Sequence, residues 1–233
     1  MKRFWKAAGV VEAEGAGFGV ALDGRPLNTP ARAPVAVPSR AVAAAMAAEW
    51  EAVGETVDPR AMPVTRAVNV AIDRVVPERA AIAARVAGFG ESDLLCYRAP
   101  HPPELAERQA AVWDPLLAWA AEAHGARLVQ TVGIVHVAQP PEALARLAAA
   151  VEARDPWELT ALHELVTLSG SLVIGLAVLS GDLAAQDAWH ASRVDEDWNI
   201  EQWGEDAEAA AHAARREADF HAAVRLLHLL AEG

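Results

Sequence analysis

The sequence predicts an α+β protein: a small antiparallel β-sheet domain with a helix, followed by a mainly α-helical domain. Near the N-terminus, short β-compatible runs are interrupted at 15–17 (Gly-Ala-Gly) and at 23–24 (Asp-Gly), a pair typical of hairpin turns. From Pro141 onward, nearly every segment has the apolar spacing of a helix. We therefore predict an N-terminal α+β domain over residues 1–90 and a C-terminal helical domain over 91–233.

The first helix is predicted from Arg40 to about residue 53. Ser39 is placed to cap it, because a serine hydroxyl can accept hydrogen bonds from the N–H groups of the first turn. Val42, Met46 and Trp50 recur at every fourth position and form one apolar stripe. This stripe favours a packing role for Trp50, in the core or between domains, over contact with a partner.

Later helices are predicted where a capping residue or a proline precedes helical spacing and a glycine follows it. They begin at Thr65, at Pro77 and at about Pro103, continue over 141–153, 156–168, 170–180 and 183–194, and resume after Gly204. The segment 127–138 is rich in β-branched residues, so we expect it to supply a strand that completes the N-terminal sheet. The apolar run from Leu165 to Gly181 is too interrupted to span a membrane and is expected to form core helix.

The composition restricts the kinds of partner. The chain of 233 residues has a formal net charge of -12 and a pI near 5.1, so it lacks the basic surface that nucleic acids and anionic lipids attract. Its single cysteine, Cys96, cannot form an internal disulfide, which suits a reducing compartment. The N-terminus lacks the apolar core of a signal peptide, and a cytoplasmic location is expected.

The stretch Val194–Ala209, VDEDWNIEQWGEDAEA, contains seven carboxylates and two tryptophans but no lysine or arginine. Three of its residues, spaced two apart from Asp195, match the first, third and fifth positions of a calcium loop. However, Ile200 stands where that loop needs a glycine, and Asp206 where it needs a glutamate. We therefore predict no metal and no other cofactor, and we keep calcium binding or an enzymatic use of 195–208 as an alternative.

If this stretch is one continuous helix, four of its carboxylates share a face: Asp197, Glu201, Glu205 and Glu208. Such a stripe is either a solvated face or a docking surface for a basic partner, with the two tryptophans as interface anchors. Gly204 can instead interrupt the helix and leave the last three carboxylates at the N-terminus of the next one. The candidate partner-binding residues are Asp197, Trp198, Glu201, Trp203, Glu205, Asp206, Glu208 and Trp50. No catalytic residue is predicted.

Eight motifs, in order along the chain, resemble the chaperones that assemble the soluble F(1) head of ATP synthase, the α-subunit chaperones of mitochondria and α-proteobacteria. They are RFWK, DGRPLNTPARAP, EW, MPVTRAVNVAID, DLLCYRAP, QAAVWDPLLAW, GSLVIGLAVLSG and VDEDWNIEQWGEDAEA. The resemblance extends over essentially the whole chain. It departs at Asn28, where the family pattern has lysine, and at Asn199, where glutamine is common.

The resemblance implies a chaperone, not an enzyme, that holds the isolated ATP synthase α subunit against aggregation and then yields it to the β subunit. It implies a protein client without nucleic acid or stable membrane insertion, and a chain that is monomeric when free. The lack of a transit peptide suggests a bacterial, cytoplasmic member, whereas eukaryotic relatives act in the mitochondrial matrix. A generic helical adaptor is the alternative. We expect Glu201→Lys or Glu205→Lys to weaken client binding far more than stability.

Overall fold

The computed structural model describes residues 2–13 and 17–232, so most of the turn predicted at 15–17 lies outside the described residues. The chain divides into two compact units. The first, here called the sheet unit, comprises the described residues up to Arg79, Pro156–Ala161 and the chain from Ala222 onward; the second, the helical unit, comprises Ala80–Asp155 and Leu162–His221. The α+β class, with a small antiparallel sheet followed by helices, is confirmed.

This division differs from the predicted domain limits. The first break follows Arg79 and not residue 90, and two later segments return to the sheet unit. Ala161 and Leu226, one from each returning segment, are buried in the core of that unit. Apolar spacing identifies the face that a helix buries but not the core that this face joins, so the sequence pattern did not reveal the returning segments.

The sheet unit is built on an antiparallel sheet. Strand β1 (Ala8–Ala13) pairs with β2 (Gly17–Leu22), and β2 pairs with the short β3 (Arg25–Pro26). The turn between β2 and β3 is formed by Asp23 and Gly24, which both have positive φ angles, of 47° and 79°. The hairpin turn predicted there is therefore confirmed.

Helix α1 (Arg40–Glu51) packs against this sheet as the apolar stripe predicts. Val42 and Met46 are fully buried in the core, and Trp50 packs against it while remaining half-buried. The Ser39 hydroxyl accepts hydrogen bonds from the N–H groups of Ala41 and Val42, which confirms the predicted cap.

The helix after α1 begins differently from the prediction, and the one that follows it continues into the helical unit, which starts at Ala80. Helix α2 (Pro63–Val70) continues through one π-helical turn into α3 (Val76–Gly88). The predicted Thr65 cap is wrong: the Glu49 carboxylate, on α1, accepts the N–H groups of Val64 and Thr65, each at 2.8 Å. The backbone kinks directly after Pro77, at Glu78, whose φ and ψ angles of -111° and 20° are not helical. A second helical stretch therefore begins close to the predicted start.

The helical unit contains most of the remaining helices. They are α4 (Pro103–Ala123), α5 (Pro141–Glu152), most of α6 (Pro156–Ser169), α7 (Leu172–Leu179), α8 (Ala185–Ala191), α9 (Val194–Trp203) and the first part of α10 (Ala207–Ala231). Helix α4 contains Pro115 and is followed by Gly125, which has a positive φ of 64°. Within the parts of the chain that the structure describes, no helix is long and apolar enough to cross a membrane.

The strand expected from 127–138 forms, but it does not join the N-terminal sheet. Strand β5 (Thr131–Val132) is only two residues long and pairs in parallel with β4 (Tyr97–Arg98) in the helical unit. The expectation that it completes the N-terminal sheet is therefore wrong. β-Branched composition indicates an extended backbone, whereas the choice of partner strand depends on tertiary packing.

The core of the helical unit centres on the apolar run that the sequence assigned to its interior. All residues of α7 from Leu172 to Val178 are buried. The buried Asp93 carboxylate accepts the N–H groups of Leu95 and Val173, both at 3.0 Å, and burial raises the pKa of this carboxyl. A methyl group on Gly175 would lie 2.5 Å from Val166 Cγ2, so the close approach of α6 and α7 depends on glycine.

Candidate functional site

The acidic segment, Val194–Ala209, folds as a helix, a glycine break and the beginning of the next helix. Helix α9 ends at Trp203, and Gly204 adopts φ 87° and ψ 167°, a conformation that is essentially restricted to glycine. Asp206 then accepts the Ala209 N–H at 2.8 Å and caps α10. The alternative in which Gly204 interrupts the helix is confirmed, and the continuous four-carboxylate stripe is wrong.

Two residues of α4 fix the beginning of α9. The buried Trp113 donates its Nε1–H to the Ala191 carbonyl oxygen at 2.7 Å, just before α9 begins. The buried Gln109 donates from Nε2 to the Asp195 carboxylate at 2.6 Å, while its Oε1 accepts the Ala99 N–H at 2.7 Å. Because both side chains are buried and hydrogen-bonded, α9 is held in a defined position on α4.

Three of the four carboxylates of α9 have partners within the helical unit, whereas the exposed Glu196 has none among the described residues. Arg108 donates two hydrogen bonds to the Glu201 carboxylate, at 2.7 and 2.8 Å, and its guanidinium lies 4.8 Å from the centre of the Trp198 ring. The hydrogen bonds from Arg108 lower the pKa of Glu201, and the same contact raises the pKa of Arg108. Asp197 lies 3.4 Å from Arg193 Nε and 3.6 Å from His190 Nδ1. These contacts therefore help to hold α9 in position within the helical unit.

The residues around and after the glycine break, in contrast, are exposed to solvent. The Trp203 residue is 78 % exposed, and Glu205 and Glu208 are also exposed. Throughout residues 2–13 and 17–232, no hydrogen bond or ion pair reaches the carboxylate of Glu205 or Glu208. A partner could contact these side chains without first breaking an internal interaction.

An open cleft of about 720 Å³ lies between α8, α9 and α10. Its lining combines the apolar side chains of Trp189 and Ile200 with acidic side chains and with the basic side chains of Arg193 and Arg216. The acidic segment thus offers a partner both apolar and charged contacts, which is the composition of a protein interface.

The geometry does not favour calcium binding by the acidic segment or nucleophilic chemistry at Cys96. The residues that matched a calcium loop lie on a helix, where positions two apart point in nearly opposite directions, and Asp195 already accepts a hydrogen bond from Gln109. Within the described parts of the chain, no group of three or more His, Cys, Asp or Glu residues could hold a metal ion. Burial raises the pKa of the Cys96 thiol to about 12, so this cysteine is not an activated nucleophile.

Trp50 lies in the sheet unit, where packing accounts for its position. Its ring meets the Trp5 ring edge to face at a centroid distance of 5.1 Å, and its carbonyl oxygen accepts the Trp5 Nε1–H at 3.2 Å. Sequence reasoning placed Trp50 among the candidate contacts, but it missed Arg108 and Gln109. These two residues are 93 and 86 positions from their carboxylate partners, and local spacing carries no signal for such pairs.

The comparisons with known proteins agree with this fold. The profile of the ATP12 chaperone protein family matches residues 2–121. The crystal structure of Atp12 from Paracoccus denitrificans is 48% identical, with a TM-score of 0.94 over 98% of each chain. The Atu1473 protein from Agrobacterium tumefaciens is 44% identical, with a TM-score of 0.94 over 98% of this chain and 86% of that one. The chain therefore belongs to the ATP12 chaperone family.

Proposed function

We propose that this protein holds the isolated α subunit of ATP synthase, prevents its aggregation and releases it for assembly of the F(1) head. Membership of the ATP12 chaperone family supports a chaperone role in ATP synthase assembly. The proposal adds the α subunit as the client, a bacterial cytoplasmic location, a monomeric free chain, and action without catalysis or cofactor.

The observation that carries the proposal is the exposed tryptophan beside unpaired carboxylates. An indole as exposed as that of Trp203 gains hydrophobic free energy when a partner covers it, and tryptophan is enriched among the residues that dominate interfaces. Glu205 and Glu208 can then pair with basic side chains around the apolar contact. An α subunit that has not met its β partner exposes the kind of apolar surface that permanent interfaces bury.

The direct test is expression of the α subunit without other subunits, alone or together with this protein. We expect the soluble fraction of the α subunit to rise strongly with this protein and not with an unrelated soluble protein of similar size. The rise should persist in a metal chelator, because no metal takes part. An α subunit that aggregates equally in both cases would contradict the proposal.

A second arm separates a dedicated chaperone from a generic adaptor. The same experiment with the isolated β subunit should leave the β subunit unaffected, because the docking surface is matched to one client. Equal solubilisation of the two subunits would favour the adaptor interpretation instead.

A further inference from the structure

The helical unit displays an apolar surface outside the acidic segment. The residues Leu128–Gln139, here called the neutral loop, contain no Asp, Glu, Lys or Arg, although such residues make up 22% of the chain. Five of its apolar side chains are exposed: Val129, Val132, Ile134, Val135 and Val137. Ile134 is 95 % exposed and Val135 is 72 % exposed. Exposed apolar side chains grouped in one segment are typical of an interaction site.

The neutral loop is anchored at its base. The Gln139 side chain, itself buried, accepts the Val129 N–H at 2.7 Å and donates to the Val129 carbonyl oxygen at 2.9 Å. The Gly133 N–H donates to the Arg98 carbonyl oxygen at 2.8 Å, next to the pairing of β4 with β5. Because these contacts already order the backbone, a partner that binds the loop has less conformational entropy to remove.

The loop also presents a strand edge. Among the residues that the structure describes, β5 pairs with β4 on one side and with no strand on the other. An unpaired edge exposes backbone N–H and C=O groups to which an extended segment of another chain can add as a strand. The exposed Val132 lies on this edge.

We propose that the neutral loop is a docking site for an extended, uncharged, apolar segment of the client, which pairs with the free edge of β5 and covers Ile134 and Val135. This inference rests on the proposed function, because an unassembled subunit is the partner that exposes such a segment. It adds a contact surface that is separate in sequence and in chemistry from the acidic segment.

Charge favours a segment of the client over two other candidate partners, an anionic lipid bilayer and a second copy of this chain. The net charge of -12 repels an anionic bilayer, and it also repels a second copy of the same chain. The loop has no Asp, Glu, Lys or Arg, so a segment with unpaired charges would lose hydration there without gaining an ion pair to one of these residues. An uncharged apolar segment is not repelled by the net charge and has no charged group that would lose its hydration.

The test is competition for a limiting amount of α subunit between the tagged wild-type chain and an untagged variant. We expect the double variant Ile134→Ser, Val135→Ser to compete about tenfold less well or worse, since two exposed apolar contacts are lost. The matched control is Val76→Ser, a valine that is 51 % exposed outside the loop, which should compete within about twofold of wild type. Backbone amides of 128–139 should also exchange more slowly in the complex.

Other results would overturn the inference in distinguishable ways. Equal competition by the double variant and by wild type would remove the loop from the docking surface but leave the proposed function standing. Failure of the wild-type chain to hold any α subunit would contradict the proposed function and this occupant together. Sedimentation of wild type, but not the double variant, with vesicles of phosphatidylcholine and phosphatidylglycerol would indicate a bilayer. A wild-type dimer that the double variant lacks would indicate a second copy.

Discussion

The two halves of the acidic segment carry similar side chains in different environments. Before Gly204, the carboxylates of Asp195, Asp197 and Glu201 contact side chains of α4 or of neighbouring helical residues. After it, Glu205 and Glu208 are exposed and have no such partner in the described residues. A high density of carboxylates is therefore not evidence of a docking surface. These paired carboxylates of the first half hold α9 in position, whereas Glu196, Trp203, Glu205 and Glu208 are exposed to solvent.

The largest expected effect distinguishes the two tryptophans of the segment. Trp203→Ala should weaken α-subunit binding by about 2–3 kcal/mol, or roughly 30- to 150-fold, because a central exposed anchor is lost. Its free energy of unfolding should change by only about 0.5 kcal/mol or less, since the side chain is mostly exposed. Trp198 is half-buried beneath the Arg108 guanidinium, so Trp198→Ala should lower the melting temperature.

The measurements are competition binding and thermal unfolding of both variants. If Trp203→Ala loses as much stability as Trp198→Ala, or if it binds the α subunit as well as wild type does, the distinction between the packed and the exposed side chains of the acidic segment is wrong.

The next effect concerns the glycine that separates the halves. Gly204→Ala should reduce the free energy of unfolding by about 1–2 kcal/mol, because its backbone conformation is unfavourable for any residue with a Cβ atom. Apart from Gly204 itself and its two chain neighbours, no residue has a heavy atom within 4 Å of the position of that Cβ, so the loss arises from backbone strain and not from a clash. The control is Gly88→Ala, which also has open space but has helical φ and ψ angles.

Urea unfolding provides the comparison. The Gly88 variant should be as stable as wild type or slightly more stable, since alanine favours the helical conformation. A Gly204 variant that matched it would mean that the break does not depend on the special conformation of this glycine.

The sequence predicted features that depend on neighbouring residues and missed those that depend on distant ones. Local conformational preferences could be predicted from the sequence. They account for the Ser39 cap, the turn at Asp23 and Gly24, and the break at Gly204. The partner of Glu201 could not be predicted from local spacing, since Arg108 lies 93 positions earlier in the chain. The partner strand of β5 was missed for the same reason.

The smallest expected effect is the electrostatic contribution of the Glu201–Arg108 ion pair to stability. The hydrogen bonds from Arg108 lower the pKa of Glu201 in the folded chain, so its contribution to stability is present above the unfolded-state pKa and is lost as the pH falls through the folded-state pKa. Glu201→Gln should therefore lower the melting temperature slightly near neutral pH and not at all in strong acid. Added salt should reduce the difference, because both side chains are solvent-accessible.

Thermal melts of wild type and Glu201→Gln between neutral pH and strong acid, at low and high salt, check the prediction. A difference that is independent of pH and salt would show that the contact acts through packing and not through charge.

The most direct test compares Glu201→Lys with Glu205→Lys in the same two assays, melting temperature and competition for the α subunit. The pairing of Glu201 with Arg108 revises the expectation from sequence for that residue, because a lysine there repels Arg108 and should lower stability as well as binding. Glu205→Lys should weaken binding while the melting temperature stays unchanged. If Glu205→Lys instead lowers the melting temperature in proportion to binding, or leaves binding intact, the exposed half of the acidic segment is not the docking surface.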